Sequence, residues 1–509
     1  MELADTRSKR LSPGLAAWMA AIGVGLVVLA AGAATDLSIG DECYHFRKAV
    51  QFYDAGARLT HDPDYGPTVP PGIPFYDGAL WPGGLALLWG LTGKSVFVAQ
   101  AYQAAWVVLL VGSAWAAGRA LGGDRAGGWS LLAAATMPAF LSFGILLYVE
   151  VAMVALLAAA AALLLGRRPF WGGLLFGLAF LVKPTVLLLF PAFCLGVLLT
   201  GGRGWRAWLT ALLLAGLGAA LTVVPDLWWR QTHLGTIGVV YLGQSGGDAT
   251  LPEAIRAMLR EKGPETFYVP STVFSPLDLV TYLGVPGLLG LALALARLRR
   301  PDWKLGGLWL VLGAFLAVHV ALLPWTGMTE VRYAMPGFGL VAILAALGLM
   351  PMTRKRRWAA VLLLSVAIAQ AAATVGWVAW ARRVPQDLRE AMAEVGRLPS
   401  ARPPGFVVNP EPRLTLYSGK PILWSAINPG PFFFSWSPGK QWEMLDYYGV
   451  EYFVIPRGRI YDDAKLKHTG GFPESFVRRL PEMPYADAVP VLDRAGLLVY
   501  RVKPRRGSP

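Results

Sequence analysis

An acidic pair, Asp41-Glu42, follows the first long apolar stretch of the chain, within GDECYHFRKAVQFYDAG. Charge is costly in lipid and ordinary in water. A carboxylate pair where a helix leaves the membrane is therefore either an exit signal or a reaction centre. Across 42–54, Phe46, Ala49, Val50 and Tyr53 fall on one helical stripe, which predicts an apolar face lying on the membrane surface. Glu42 and His45 share another face. Asp41 stands at the predicted helix start, as an N-cap or as a base. A further carboxylate, Glu150, interrupts LLYVEVAMVALL. Lys183 lies in FLVKPTVLL, and Glu330, Arg332 and Tyr333 lie in TEVRYAMPG. Ionisable groups at membrane depth usually face a polar cavity. A carboxylate can take a proton from a hydroxyl or amine, and the Arg fork matches phosphate oxygens. The set suits transfer from a lipid-linked sugar phosphate: a base for the acceptor, cations for the departing phosphate. The plainer reading is a set of interfacial residues with one structural Glu150–Lys183 pair.

The elements that must position these residues are membrane helices. Of 509 residues, 55% are hydrophobic and 15% charged, against about 25% charged in soluble domains. Long runs of Leu, Ala, Val, Gly and Trp are each roughly long enough to cross a ~30 Å hydrocarbon core. The net charge of +14 does not indicate nucleic-acid binding, because the basic residues sit in short clusters between apolar runs. These are Arg7/Lys9/Arg10, Arg119/Arg125, Arg167/Arg168, Arg203/Arg206, Arg297/Arg299/Arg300 and Arg354–Arg357. Placing all six in the cytoplasm predicts about eleven spans. They lie near 14–35, 96–118, 129–147, 149–166, 170–183, 184–200, 207–225, 277–296, 305–324, 334–350 and 358–380. The N-terminus is then inside, with outer loops at 36–95 and 226–276. ALWPGGLALLWGLTG, near 79–93, is too short and too rich in Gly and Pro to span, and reads as a re-entrant or interfacial helix. The first apolar stretch is long for a signal peptide and reads as a retained helix. Cys43 and Cys194 do not suggest a disulfide framework.

After Arg382 the long apolar runs end. GFVVN, EYFVIP and LLVYRV read as strands, and QWEMLDYYGV as a short helix ended by Gly449. The expected organisation is a transmembrane domain over 1–381 and a small extracytoplasmic α/β domain over 382–509. Residues 61–78, rich in Pro and Gly, read as an ordered loop in which His61 and Asp62 are more simply solvated than functional. Trp228, Trp229, Arg230 and His233 read as interfacial anchors, and 243–254 as a mobile segment.

In these places the chain resembles the GT-C superfamily of integral-membrane glycosyltransferases. That superfamily includes protein O-mannosyltransferases, lipid A aminoarabinose transferases and dolichyl-phosphate-glucose-dependent glucosyltransferases. GDECYH with KAVQFYDAG is similar to the first-loop motif, its DE..H spacing nearest the last of these groups. ALWPGGLALL resembles the proline-containing juxtamembrane helix. LLYVEVAMVALL resembles the second acidic position, where many members carry Asp. GLLFGLAFLVKPTVLLLFP resembles the short helix pair with a central Lys. VRYAMPGFGLVAIL resembles the late Arg-Tyr segment, and QWEMLDYYGVEYFVIP a unit of the trailing outer domain.

The resemblance implies a GT-C-like polytopic α-helical membrane enzyme of the cell membrane. It would perform inverting transfer of a hexose or pentose from a polyprenyl-phosphate donor to a protein, lipid or glycan acceptor. Asp41 becomes the base, and Glu42 and Glu150 shape the acceptor or metal environment. Lys183 and Arg332 contact phosphate, Tyr333 lines the substrate site, and His45 binds sugar or orients Glu42. Some relatives use a divalent cation; Mg or Mn held by Asp41, Glu42 and Glu150 stays open. Two other classes compete: a transporter or flippase of a lipid-linked glycan, and a non-catalytic assembly subunit.

Overall fold

The structure is a computed structural model. It describes residues 12–37, 40–58, 78–202, 204–234, 276–297, 307–308, 310–314, 335–401, 405–409, 413–423, 429–434, 436–463 and 471–504. The helices of the first part are α1 (Pro13–Ala33), α2 (Gly40–Ala55), α3 (Leu80–Thr92), α4 (Val96–Thr136), α5 (Pro138–Ile145) and α6 (Val149–Leu165). They continue with α7 (Pro169–Val182), α8 (Phe190–Thr200), α9 (Trp205–Leu234), α10 (Pro276–Ala296), α11 (Met335–Lys355) and α12 (Arg357–Ala381). The chain forms two compact units, Met1–Thr35 with Tyr76–Ala381, and Asp36–Phe75 with Arg382–Pro509. Residues 36–75, grouped with the membrane helices by sequence, thus cluster with the C-terminal segment.

The first unit is a multi-pass helical bundle. Among the described residues, α1, α4, α9, α11 and α12 are long and apolar enough to cross a membrane, and α6, α7, α8 and 282–296 are shorter apolar helices. Burial is inverted relative to a soluble helix. In α1 the inward residues are Ala17, Ala21, Gly25, Val28 and Gly32, while Leu15, Met19, Ile22 and Leu26 point outward. Lipid replaces water as the outer solvent, so small residues go to helix contacts and large apolar ones face out. α7 and α9 approach closely: a Cβ on Gly173 would stand 1.9 Å from the Ala215 carbonyl oxygen, and one on Gly218 would stand 2.1 Å from that of Phe170.

The two spans read at 96–118 and 129–147 are joined. α4 runs to Thr136 through a break at Gly122–Gly123, where Gly123 takes φ 76°, and α5 follows. Residues 226–234 were read as the start of an outer loop but continue α9. Pro225 does not end the helix, as membrane helices tolerate Pro, and Asp226 and Arg230 pair one turn apart. Of the span near 305–324, only 307–308 and 310–314 are among the described residues.

The second unit holds α2, α13 (Gln386–Arg397), β1 (Phe406–Val408), α14 (Arg413–Ser418), α15 (Pro429–Phe434), α16 (Pro438–Tyr447) and β2 (Val450–Pro456). It ends with β3 (Ile460–Tyr461), β4 (Phe472–Pro473), α17 (Glu474–Arg479), β5 (Leu492–Arg494) and β6 (Leu497–Arg501). The main sheet has order β1-β2-β6-β5, with β1–β2 parallel and the other pairs antiparallel. Alternation along β2 sends Phe453 and Ile455 to a core with Phe432, Leu445 and Phe476, and Tyr452 and Val454 to a core with Met392, Val395 and Leu414. Both faces are covered, which is why EYFVIP is continuously apolar after its first residue. α16 starts at Ser437, whose hydroxyl accepts from Lys440 N–H at 3.4 Å, and ends before Gly449 at φ 64°.

Candidate functional site

In the membrane unit the chemistry gathers where α6 begins and α7 ends. Glu150 lies in the first turn of α6 and is fully buried. Lys183 follows α7 in extended backbone, because Pro184 disfavours helix in the residue before it. Its Nζ donates to Glu150 Oε1. The turn before α6 is held by Gln103 of α4, whose amide nitrogen donates to the Tyr148 carbonyl at 2.9 Å and the Phe143 carbonyl at 3.3 Å. Gln103 Oε1 accepts from the Trp81 indole of α3 at 3.0 Å. Leu147 sits at φ 50° within that turn. The Glu150–Lys183 pair proposed from sequence thus exists, on a braced and strained corner.

The consequence is asymmetric. Removing one partner of a buried pair leaves a charge without compensation, at about 3–5 kcal/mol. Lys183→Met is expected to lower the folded, monodisperse yield on size exclusion. The double variant Lys183→Met/Glu150→Gln, which removes both charges, is expected to restore it.

In the second unit, α2 carries the acidic pair. Glu42 is fully buried and accepts two hydrogen bonds from Arg382, from Nε at 3.2 Å and from the Nη2 end of the fork. Arg382 is equally buried. Asp36 accepts from Arg389, whose Nε donates to the Val384 carbonyl at 3.1 Å. Arg47 donates to Thr415 at 3.3 Å. The Tyr417 hydroxyl donates to the Leu37 carbonyl at 3.4 Å; burial first, and Asp36 second, push it up to about 12, so it stays a neutral donor. The buried stripe of α2 is Cys43, Phe46, Ala49 and Phe52, with Val50 and Tyr53 only half-buried. The apolar face therefore packs within this unit, against α14 among others, which shifts the stripe from the one read off the sequence.

Asp41 lies inside the first turn of α2, which begins at Gly40. His45 is half-buried, edge-on to Tyr44 with ring centres 5.7 Å apart. Lys48 is buried beneath the Tyr44 ring at 4.0 Å. Glu330, Arg332, Tyr333, His61, Asp62 and residues 243–254 lie outside the described residues. In α9, Arg230 donates to Asp226 at 2.6 Å, both buried, and Trp229 stacks on His233 at 4.8 Å; Trp228 is exposed, as an interfacial anchor would be. Among the described residues no three His, Cys, Asp or Glu side chains converge on a metal position. Glu42 and Glu150 each face a cation. Sequence reasoning missed Arg382, Arg389, Gln103 and Lys48. Only Lys48 carried a local signal, its spacing four residues from Tyr44.

Comparison with known proteins places this geometry. A profile of the dolichyl-phosphate-mannose-protein mannosyltransferase family matches residues 83–229, from α3 into α9. Among solved structures, ArnT from Cupriavidus metallidurans bound to undecaprenyl phosphate is similar at TM-score 0.66 and 13% identity, over 95% of this chain and 97% of that one. The chain has the GT-C glycosyltransferase fold. The oligosaccharyltransferase AglB from Archaeoglobus fulgidus, solved with an inhibitory peptide and a dolichol-phosphate, shares this GT-C fold at TM-score 0.61 and 13% identity, over 87% and 69% of the two chains. No curated protein sequence matches the chain significantly.

Proposed function

We propose that this protein is an inverting glycosyltransferase that moves a sugar from a polyprenyl-phosphate donor to an extracytoplasmic acceptor. The observation that carries this reading is the fold likeness, over nearly the full length of both chains, to a protein solved with undecaprenyl phosphate. The match of 83–229 to a family named for a lipid-phosphate sugar donor adds to it.

In this reading Asp41 takes the proton from the acceptor as its oxygen or nitrogen attacks the anomeric carbon. The bond from that carbon to the donor phosphate breaks, and the phosphate leaves on its lipid. Lys183 and Arg332 offset the charge that grows on it, with Tyr333 and His45 contacting sugar. Glu150 holds Lys183 in place, and Glu42 holds the start of α2 through Arg382. By the positive-inside rule the basic clusters support an N-terminus in the cytoplasm and a C-terminal segment on the outer side of the cell membrane. Helices reaching into lipid suit a donor whose sugar phosphate lies at the interface and whose tail lies in the bilayer.

Lipid mass spectrometry on cells lacking the protein tests the reading. One polyprenyl-monophosphate sugar is expected to accumulate and to return to its normal level on complementation. If no monophosphate-linked sugar changes in any strain, the donor assignment fails and transport of a lipid-linked glycan becomes the better account.

A further inference from the structure

Where α6 ends, α7 begins and α8 turns into α9, the membrane bundle holds a second feature. A cavity of about 980 Å³ lies between α6, α8, α11 and residues 307, 308 and 311, lined by apolar groups such as Leu157, Leu164, Phe193, Val311 and Ile343, and it extends to Leu189 and Pro336. Its volume falls within the ~300–1,000 Å³ of ligand cavities. A second cavity of about 390 Å³ adjoins it and shares Leu164, Arg167 and Thr200. Arg167 borders both cavities and Arg206 borders the second.

The charge at this end is unbalanced. Arg167, Arg168 and Arg206 are exposed, and none has a carboxylate partner among the described residues. Arg167 is held at φ 58°, a conformation a side chain rarely adopts, with its N–H bonded to the Leu164 carbonyl at 2.9 Å. Exposed Trp171, Trp205 and Trp208 surround the same level, as aromatic residues do at a membrane interface. The cluster of arginines marks this end as cytoplasmic, and the cytoplasmic leaflet is the anionic one.

We infer that this end binds an anionic phospholipid of the cytoplasmic leaflet. Its phosphate sits between Arg167 and Arg206, and an acyl chain enters the larger cavity. The commitment to a phospholipid rests on charge complementarity: the guanidinium groups of Arg167 and Arg206, without carboxylate partners among the described residues, border two adjoining cavities, the larger lined mostly by apolar groups. Arg167 stands at the ends of α6 and α7 opposite the Glu150–Lys183 corner.

Native mass spectrometry of the purified full chain, titrated with dioleoyl phosphatidylglycerol or dioleoyl phosphatidylcholine, tests this. Two arginines predict a preference for phosphatidylglycerol of about 30-fold. Arg167→Asn/Arg206→Gln should reduce that preference to about threefold or less; Asn suits the left-handed backbone at 167, so the fold is kept. Gly196→Phe is the second variant. An added Cβ there meets only Leu164 Cδ1, at 4.0 Å, so the ring fills the cavity and should weaken both lipids. Equal binding of the two lipids by the native chain, a preference surviving the double variant, or unchanged binding in Gly196→Phe would each overturn the proposal. So would one-for-one displacement of phosphatidylglycerol by undecaprenyl phosphate, which would assign the cavity to the donor's tail. Simultaneous binding of both supports it.

Discussion

Asp41→Asn is expected to lower sugar transfer by about 10²–10⁴-fold, the contribution of a positioned general base, with expression and monodispersity unchanged. The substitution is isosteric and removes the group that takes the proton while leaving the amide able to hydrogen-bond. Asp41 lies in the first turn of α2, and the adjacent Glu42 is the residue that fixes this turn, through Arg382. The measurement is single-turnover transfer from a purified polyprenyl-phosphate sugar, alongside size exclusion. A base that acts in the chemical step should show its loss in the rate constant and not in donor affinity. Transfer within about threefold of native would remove Asp41 from the chemistry and leave it as a helix-start residue.

The membrane architecture was legible because its signals are local. Apolar runs and basic clusters mark helix ends without reference to distant residues, and they place α1, α6, α7 and α12 within a few residues of where they stand. The sequence separates spans near 96–118 and 129–147 at the Arg119/Arg125 cluster, whereas the bend at Gly122–Gly123 inside α4, with α5 after it, depends on packing. The pairing of Glu150 with Lys183 was anticipated, since two opposite charges interrupting neighbouring apolar stretches have few other ways to be accommodated. The partners of the first-loop residues were not legible. Glu42 meets Arg382 across 340 positions, and Asp36 meets Arg389 across 353. No periodicity or spacing encodes such contacts. The sequence marked Arg382 only as the place where composition changes, and it marked Glu42 as a catalytic candidate because a carboxylate beside a base is chemically suggestive. Its burial against Arg382 is set by the C-terminal elements against which α2 packs.

Breaking the Glu42–Arg382 pair is expected to cost more stability than any other single change in the second unit. Both side chains are fully buried, and the loss of one partner of such a pair costs about 3–5 kcal/mol because the other charge stays in place without compensation. Glu42→Gln keeps the shape and some hydrogen bonding, so it should lie at the low end of that range, and Arg382→Met at the high end. The double variant Glu42→Gln/Arg382→Met removes both charges and should be less destabilised than Arg382→Met alone, so the coupling energy in a double-mutant cycle should exceed about 3 kcal/mol, the cost of Glu42→Gln. The readout is the thermal unfolding midpoint of the purified chain, since the first-loop helix and the C-terminal sheet belong to one compact unit. Activity separates the structural role from a catalytic one. If Glu42 acts only by holding α2, the double variant recovers transfer together with stability. If the double variant regains the native midpoint and transfer stays as low as in Asp41→Asn, Glu42 contacts the reacting groups, and its pairing with Arg382 is not its whole role.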